Sequence, residues 1–285
     1  MSVTADTLTA GHRTLTEACG LLDRSERGKL ALTGAEAKAF LQGQVTNDVE
    51  GLEPGRGCYA AFLTHKGKML GDLRILDLGD ELLLDTERSA LQELFNMIRR
   101  FKLGRDVELH KRTVQMGLLS LIGPEARKVA GATTLGDDEH DNVPATIAGR
   151  PVTLVATDVG VDVLCDADAT DAVRAALIDG GAEPVAPEAA EALRVEHGRP
   201  RYGVDLDETT MPQEAGINDR AVSFTKGCYV GQETVARLFY RGKPNRHLRG
   251  LRLSEPPRSE ERRVGKECRS RWSPHPGPQI GRAHV

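Results

Sequence analysis

The feature that most limits the fold is a rhythm: short apolar runs of strand length, broken by single amphipathic helices, with no strict β–α–β alternation. Strands are expected at 58–63, 70–76, 82–84 and 107–109, the first two joined by a turn at His65-Lys66-Gly67-Lys68. A helix over 88–101 sets Leu91, Leu94, Phe95, Ile98 and Phe101 on one side. Thr33, with Glu36 three residues on, reads as a capping box that opens a short helix over 35–42, whose Ala37, Phe40 and Leu41 share a side. A similar order then repeats: a strand at 116–122, a helix opened by Pro124, a hairpin of 152–156 and 161–165, and helices at 168–178 and 187–197, the last closed by Gly198. This order predicts an α+β protein rather than a doubly wound parallel sheet.

The 285 residues are enough for two or three domains, and 39% apolar residues can fill their cores without disulfides or a structural metal. The five cysteines, Cys19, Cys58, Cys165, Cys228 and Cys268, are odd in number and form no CxxC, which fits neither a zinc knuckle nor a disulfide framework. No apolar run approaches the length of a membrane span, and Asp6 and Glu17 in the first segment argue against a transit peptide, so a cytoplasmic protein is expected. GxGxxG, GxxxxGK[ST] and HExxH are all absent, which removes the nucleotide and zincin readings.

Charge is unevenly spread. Residues 258–285 carry seven Lys and Arg against three Asp and Glu, leaving the other residues with 31 basic and 39 acidic side chains. So acidic a body does not suit a general nucleic-acid binder, whose affinity rests on neutralising phosphates. From Arg258 the periodicity ends, and Pro274, Pro276 and Pro278 break regular structure. The run RSEERRVGKECRSRWSP, with the chain's only tryptophan, Trp272, resembles the conceptual translation of a DNA-sequencing adapter; residues 258–285 are set aside as an artefactual or disordered tail.

Two stretches carry candidate chemistry. In SFTKGCYVGQETVARLFYRGK, Lys226-Gly227-Cys228 precedes a helix expected to start near Gly231. A helix N-terminus and a neighbouring ammonium both favour a thiolate, so Cys228 is a candidate reactive thiol; the alternative is a small buried cysteine filling a turn. In LRVEHGRPRYGVDLDETTMPQEAGI, Glu196 falls at a helix C-terminus, where the macrodipole disfavours a carboxylate. It could accept the paired N–H groups of a pterin, or pair with Arg194, Arg199 or Arg201. The acidic segment 203–216 is long for a loop without function. Arg237, Arg241, Lys243 and Arg246 form a basic run that reads as a solvated positive face.

Three blocks in consistent order, FLQGQVTNDV (40–49), LRVEHGRPRYGVDLDETTMPQEAGI (193–217) and KGCYVGQE (226–233), resemble the YgfZ-like folate-binding proteins of iron–sulfur cluster assembly and repair. These are relatives of the aminomethyltransferase, or T-protein, of the glycine cleavage system. The resemblance implies a T-protein-like folate-binding fold with mixed and antiparallel sheets flanked by helices. Its domains would be an interleaved first α+β domain over 1–50 and 112–245, a ferredoxin-like second domain over 51–111, and the first strand, at 246–257, of a C-terminal β-barrel that is otherwise missing.

By the same resemblance, tetrahydrofolate would sit in a central opening. Glu196 would read the pterin, Asn47, Asp48 and Gln213 would line the site, and Lys226 and Cys228 would be the essential pair. The implied role is an accessory factor for 4Fe–4S proteins rather than a conventional enzyme, acting as a monomer on iron–sulfur client or assembly proteins, with no metal site of its own. The alternative is tetrahydrofolate-dependent aminomethyl transfer or demethylation. Against it, Gln92 stands where the T-protein has its catalytic aspartate, and an amide is no general base; Asp72 or Asp85 would have to substitute.

Overall fold

The computed structural model describes residues 5–250 and 282–284. The tail set aside above lies outside the described residues except for Arg282–His284.

Two sheets organise the chain. The first has six strands: β1 (Gly20–Asp23), β7 (Met116–Ile122), β8 (Asn142–Ile147), β9 (Arg150–Thr157), β10 (Gly160–Asp166) and β11 (Glu183–Pro184), in the order β11-β1-β7-β10-β9-β8. All neighbours are antiparallel except β1 and β11. The second sheet has five antiparallel strands, β2 (Gly28–Thr33), β3 (Gly57–Leu63), β4 (Met69–Asp77), β5 (Leu82–Thr86) and β6 (Glu108–Lys111), in the order β3-β4-β5-β2-β6. A last pair joins β12 (Leu248–Gly250) to β13 (Arg282–His284).

The helices are α1 (Ala5–Glu17), α2 (Ala37–Gln42), α3 (Leu91–Phe101), α4 (Ala126–Val129), α5 (Thr170–Asp179), α6 (Pro187–Glu196), α7 (Pro212–Ala215), α8 (Asn218–Ala221) and α9 (Gln232–Arg241). Among the described residues no helix is long and apolar enough to cross a membrane.

Strand alternation builds the interior in layers. On β10, Val161, Val163 and Cys165 face the core of the first sheet, with Leu119 and Leu121 of β7. On β4 and β5, Leu73, Ile75, Leu82 and Leu84 face the core of the second sheet, under α2 and α3. The opposite faces meet: Leu76 and Leu83 of the second sheet pack with Leu118, Val155 and Leu164 of the first. The polar residues of these same faces, Asp72, Asp85, Ser120 and Asp162, are thus buried between two sheets rather than turned to water, with Arg74 partly buried among them.

Two expectations give way to packing. The capping box at the start of α2 does not form: Thr33 ends β2 and shares a hydrogen bond with His110, and the Glu36 carboxylate accepts from the Asp106 backbone N–H at 2.7 Å and from Arg105. The side expected of α2 is nonetheless the buried one, Ala37, Phe40 and Leu41. The domain limits also differ. β2 and α2, assigned to the first domain by sequence, belong to the second sheet and its core, so the chain changes sheet between Asp23 and Gly28.

Candidate functional site

Where the two inner faces diverge they enclose a cavity of about 400 Å³. Its walls come from β1, β7 and β10 on one side, β3 and β4 on the other, and from α6 with the loop after it. That volume lies in the range of small-molecule sites.

The floor is ionic. Asp85 accepts from Arg27 Nε at 2.8 Å and Arg74 Nε at 2.7 Å. Arg74 Nη1 continues to Asp162 at 2.5 Å, whose other oxygen accepts from Ser120 Oγ at 2.6 Å. Burial alone would raise the Asp85 pKa, but the two guanidiniums outweigh it and hold the carboxyl far below the usual carboxylate range. Asp85 is therefore a fixed anion with its oxygens engaged.

Asp72 is different. It accepts one hydrogen bond from the Tyr59 hydroxyl at 2.6 Å. Burial pushes its pKa up to about 6, against the hydroxyl bond and the charge of Arg27. Of the two aspartates considered as substitutes for a missing base, Asp72 is the one that lines the cavity and titrates near neutrality. Gln92 is exposed on α3 and bonds Asn96, four residues on, at 2.9 Å.

The wall above is built around Glu139. Its carboxylate takes Arg220 Nη2 at 2.6 Å and Arg199 Nη2 at 3.5 Å, while Arg199 Nε bonds Asp158 at 2.7 Å. The Arg220 guanidinium lies 4.8 Å from the centre of the Tyr59 ring. His140 is buried beside them, and both its ring nitrogens lack a partner among the described residues. Burial first, then the charges of Arg74 and Arg220, drive its pKa down to about 3, against Asp162 and Asp85. The imidazole is neutral at physiological pH.

None of the six residues singled out by sequence lines this cavity. Glu196 ends α6 and bonds His12 of α1 at 2.8 Å, so neither the expected cavity border nor an arginine partner is found. The helices α1 and α6 pack through Leu15, Ala189 and Leu193, which carries Glu196 to their shared edge; the acid of α6 that faces the cavity is Glu191. Gln213 lies on α7, its Oε1 buried without a partner among the described residues. Asp48 accepts from Gln42 Nε2 at 2.9 Å.

The first and third blocks do meet. Lys226 Nζ donates to the carbonyls of Gln42, Val45 and Asn47 at 2.6, 2.8 and 2.7 Å. Val230 N–H bonds Gly43 O, Ser223 N–H bonds Thr46 O, and Thr46 Oγ1 donates to Ala221 O at 2.5 Å. Burial lowers the Lys226 pKa to about 8, opposed by Asp48. The thiol beside this ammonium is Cys58, raised by burial to about 12. Cys228 is exposed, three residues before Gly231, whose φ of +86° turns the chain into α9. Asn47 ties the two blocks to the cavity, because its Nδ2 donates to the carbonyls of Tyr59 and Arg220 at 2.8 and 2.9 Å.

Residues 2–226 match the model of the GCVT N-terminal domain. The chain belongs to the GCVT N-terminal domain family. An aminomethyltransferase of Synechococcus sp. (strain RCC307) is 30% identical over 262 residues, covering 89% of the chain and 73% of that protein. A protein of Arabidopsis thaliana named as a chloroplastic transferase is 29% identical over 247 residues, covering 83% of the chain; the chain spans 56% of that relative's length. The fold matches the glycine cleavage system aminomethyltransferase T of Bartonella henselae with a TM-score of 0.77 at 22% identity, over 87% of this chain and 70% of that one. The α+β T-protein-like fold is thus the fold of this GCVT chain.

His140, Arg220, Tyr59 and Asp162 were not singled out from sequence. The available signal was a few polar residues set among apolar ones, Asp72 and Arg74 on β4, Ser120 on β7 and Asp162 on β10, and the acidic run around His140. Such alternation ordinarily marks a solvated face.

Proposed function

We propose that the chain binds tetrahydrofolate in the central cavity and serves the assembly or repair of 4Fe–4S proteins. In this role Cys228 presents its exposed thiol to a client or assembly protein. The observation that carries the folate half is the cavity's set of buried polar atoms without a partner among the described residues, on His140, Arg199, Arg201 and Arg220. A well-formed interior leaves few such groups without a ligand or water.

The residues present suit a reduced pterin in kind. Asp72, Asp158 and Glu191 can accept its ring N–H and amino groups, and the arginines can donate to its carbonyl. Bound tetrahydrofolate would supply nitrogens that carry one-carbon units. Lys226 holds the Cys228 turn against the first block, and Asn47 holds Tyr59 and Arg220 in the cavity wall.

The test has two arms. Calorimetric titration of tetrahydrofolate into the full chain is expected to show one site of micromolar affinity; absence of heat at millimolar folate defeats the folate half. A chromosomal Cys228→Ala replacement is expected to lower 4Fe–4S enzyme activities under oxidative stress; unchanged activities defeat the iron–sulfur half.

A second reading, folate-dependent aminomethyl transfer, is favoured by one observation: a carboxyl of pKa about 6, Asp72, in the cavity wall. Release of ammonia from an aminomethyl-lipoyl donor, lost in Asp72→Asn, would place it first.

A further inference from the structure

His140 is only 5% exposed and sits on the cavity wall, with neither ring nitrogen hydrogen-bonded among the described residues. Its backbone is left-handed, at φ +76°, a conformation that a non-glycine residue keeps only where its surroundings impose it. The surroundings are specific. Its N–H donates to Ala156 O at 2.8 Å, its carbonyl accepts from Asn142 Nδ2 at 3.3 Å, and its Nε2 stands 3.7 Å from the Glu139 carboxylate. Gly57 of β3 packs directly against it: a Cβ there would come within 2.9 Å of the His140 Cβ and 2.7 Å of the Ile75 carbonyl.

The two arginines of the Glu139 cluster also keep donors in reserve: Arg199 Nη1 and Arg220 Nε are buried and have no partner among the described residues. Yet the cluster is electrically balanced, because Glu139 and Asp158 already neutralise both guanidiniums. It therefore has no surplus positive charge to hold an anion. A neutral imidazole adds something an anion could not use, a ring nitrogen that accepts a hydrogen bond. The complement to one free acceptor beside free N–H donors is a ligand edge that offers an N–H next to a C=O.

We infer that His140, with the free N–H groups of Arg199 and Arg220, forms a subsite that reads the lactam edge of a heterocycle. The imidazole accepts the ring N–H, and the guanidiniums donate to the adjacent carbonyl. This deepens the folate reading and rests on it for the identity of the natural ligand, since a pterin carries such an edge. It also disfavours a class: a 2,4-diaminopteridine, in which an amino group replaces the carbonyl and the neighbouring ring nitrogen loses its hydrogen, would set a donor against the arginine donors and an acceptor against the imidazole acceptor.

The experiment measures binding of pterin, 2,4-diaminopteridine and tetrahydrofolate to the full chain as wild type, His140→Gln and His140→Leu, with melting temperatures in parallel. Wild type is expected to prefer pterin to the diamino compound by about tenfold or more, the scale of leaving buried polar groups unpaired. His140→Leu is expected to lose pterin affinity and the preference without a fall in melting temperature. His140→Gln, whose amide offers both a donor and an acceptor, is expected to keep the preference. Equal wild-type affinity for the two pteridines, or undiminished pterin binding by His140→Leu, overturns the inference. Should His140→Leu fail to fold, the wild-type preference and the His140→Gln variant still decide it. Tetrahydrofolate binding without lactam preference leaves the folate reading standing and this inference refuted; lactam preference without tetrahydrofolate binding does the reverse; binding of neither refutes both.

Discussion

Replacing Lys226 by Met removes one charge and keeps most of the side-chain stem. In the wild type its ammonium points all three N–H bonds at carbonyls, those of Gln42, Val45 and Asn47, at 2.6–2.8 Å. Hydrogen bonds to a charged group contribute roughly 1.5–3 kcal/mol each, so the gross loss is about 5–9 kcal/mol. Desolvation of the ammonium, the cause of its lowered pKa, offsets part of this, and water can reach some of the freed carbonyls. A net destabilisation of about 2–4 kcal/mol is expected. Lys226→Arg should not rescue it, because a planar fork cannot aim three donors at carbonyls gathered around one point. Urea denaturation measures the loss, and amide exchange locates it. Protection should fall at Val230 and Ser223, whose N–H groups bond Gly43 and Thr46 across the same seam. A Lys226→Met protein within about 0.5 kcal/mol of wild type, the scatter of an ordinary surface substitution, with unchanged exchange at those two amides, would refute the view of Lys226 as a staple between the blocks.

Further outcomes follow from the cavity. Asp72 has a folded pKa of about 6 against about 3.9 unfolded, so the folded state holds its proton more tightly, and stability falls as pH rises through that window; Asp72→Asn should melt above wild type at pH 7.5, by up to about 3 kcal/mol, and match it near pH 4. His140 shows the opposite sign. With its pKa lowered to about 3, the unfolded chain takes up the proton first, so wild-type stability falls as pH drops below about 6.5, and His140→Gln should flatten that slope in pH-dependent melts. Asp85→Asn removes the carboxylate that Arg27 and Arg74 share, leaving them only Glu87 and Asp162, and should cost about 3 kcal/mol in urea denaturation at neutral pH. In a Cys268→Ser background, native alkylation followed by mass spectrometry should modify Cys228 first, with the buried Cys19 and Cys165 and the raised thiol of Cys58 protected until denaturant is added.

The strands and longer helices were legible in the sequence because period-two and 3.6-residue patterns survive in β3, β4, β7, β9, β10 and α3. What the pattern does not carry is which neighbour covers a face. Asp72, Arg74, Asp85, Ser120 and Asp162 alternate with apolar residues as a solvated face would, and only the docking of one sheet on the other makes them a buried ionic floor. The same blindness hid β2, whose Lys29 looks like a surface residue yet is wholly buried, its ammonium held by the carbonyls of Ser25 and Arg27. The KGC block was visible as a site because its residue types are chemically loaded. Its reason for being is not local: the partners of Lys226 lie about 180 residues earlier, beyond the reach of any window. Glu196 misled for a related reason. A carboxylate at a helix C-terminus does invite a partner, but the partner is His12 on a helix that the periodicity did not reveal.

The most direct test of the account is a crystal structure of the full chain grown with 5-formyltetrahydrofolate. The pterin should lie in the cavity between the sheets, within hydrogen-bonding distance of His140 and of Arg199 or Arg220. An empty cavity at saturating ligand, or a pterin bound elsewhere with the His140 nitrogens still unpaired, would contradict it.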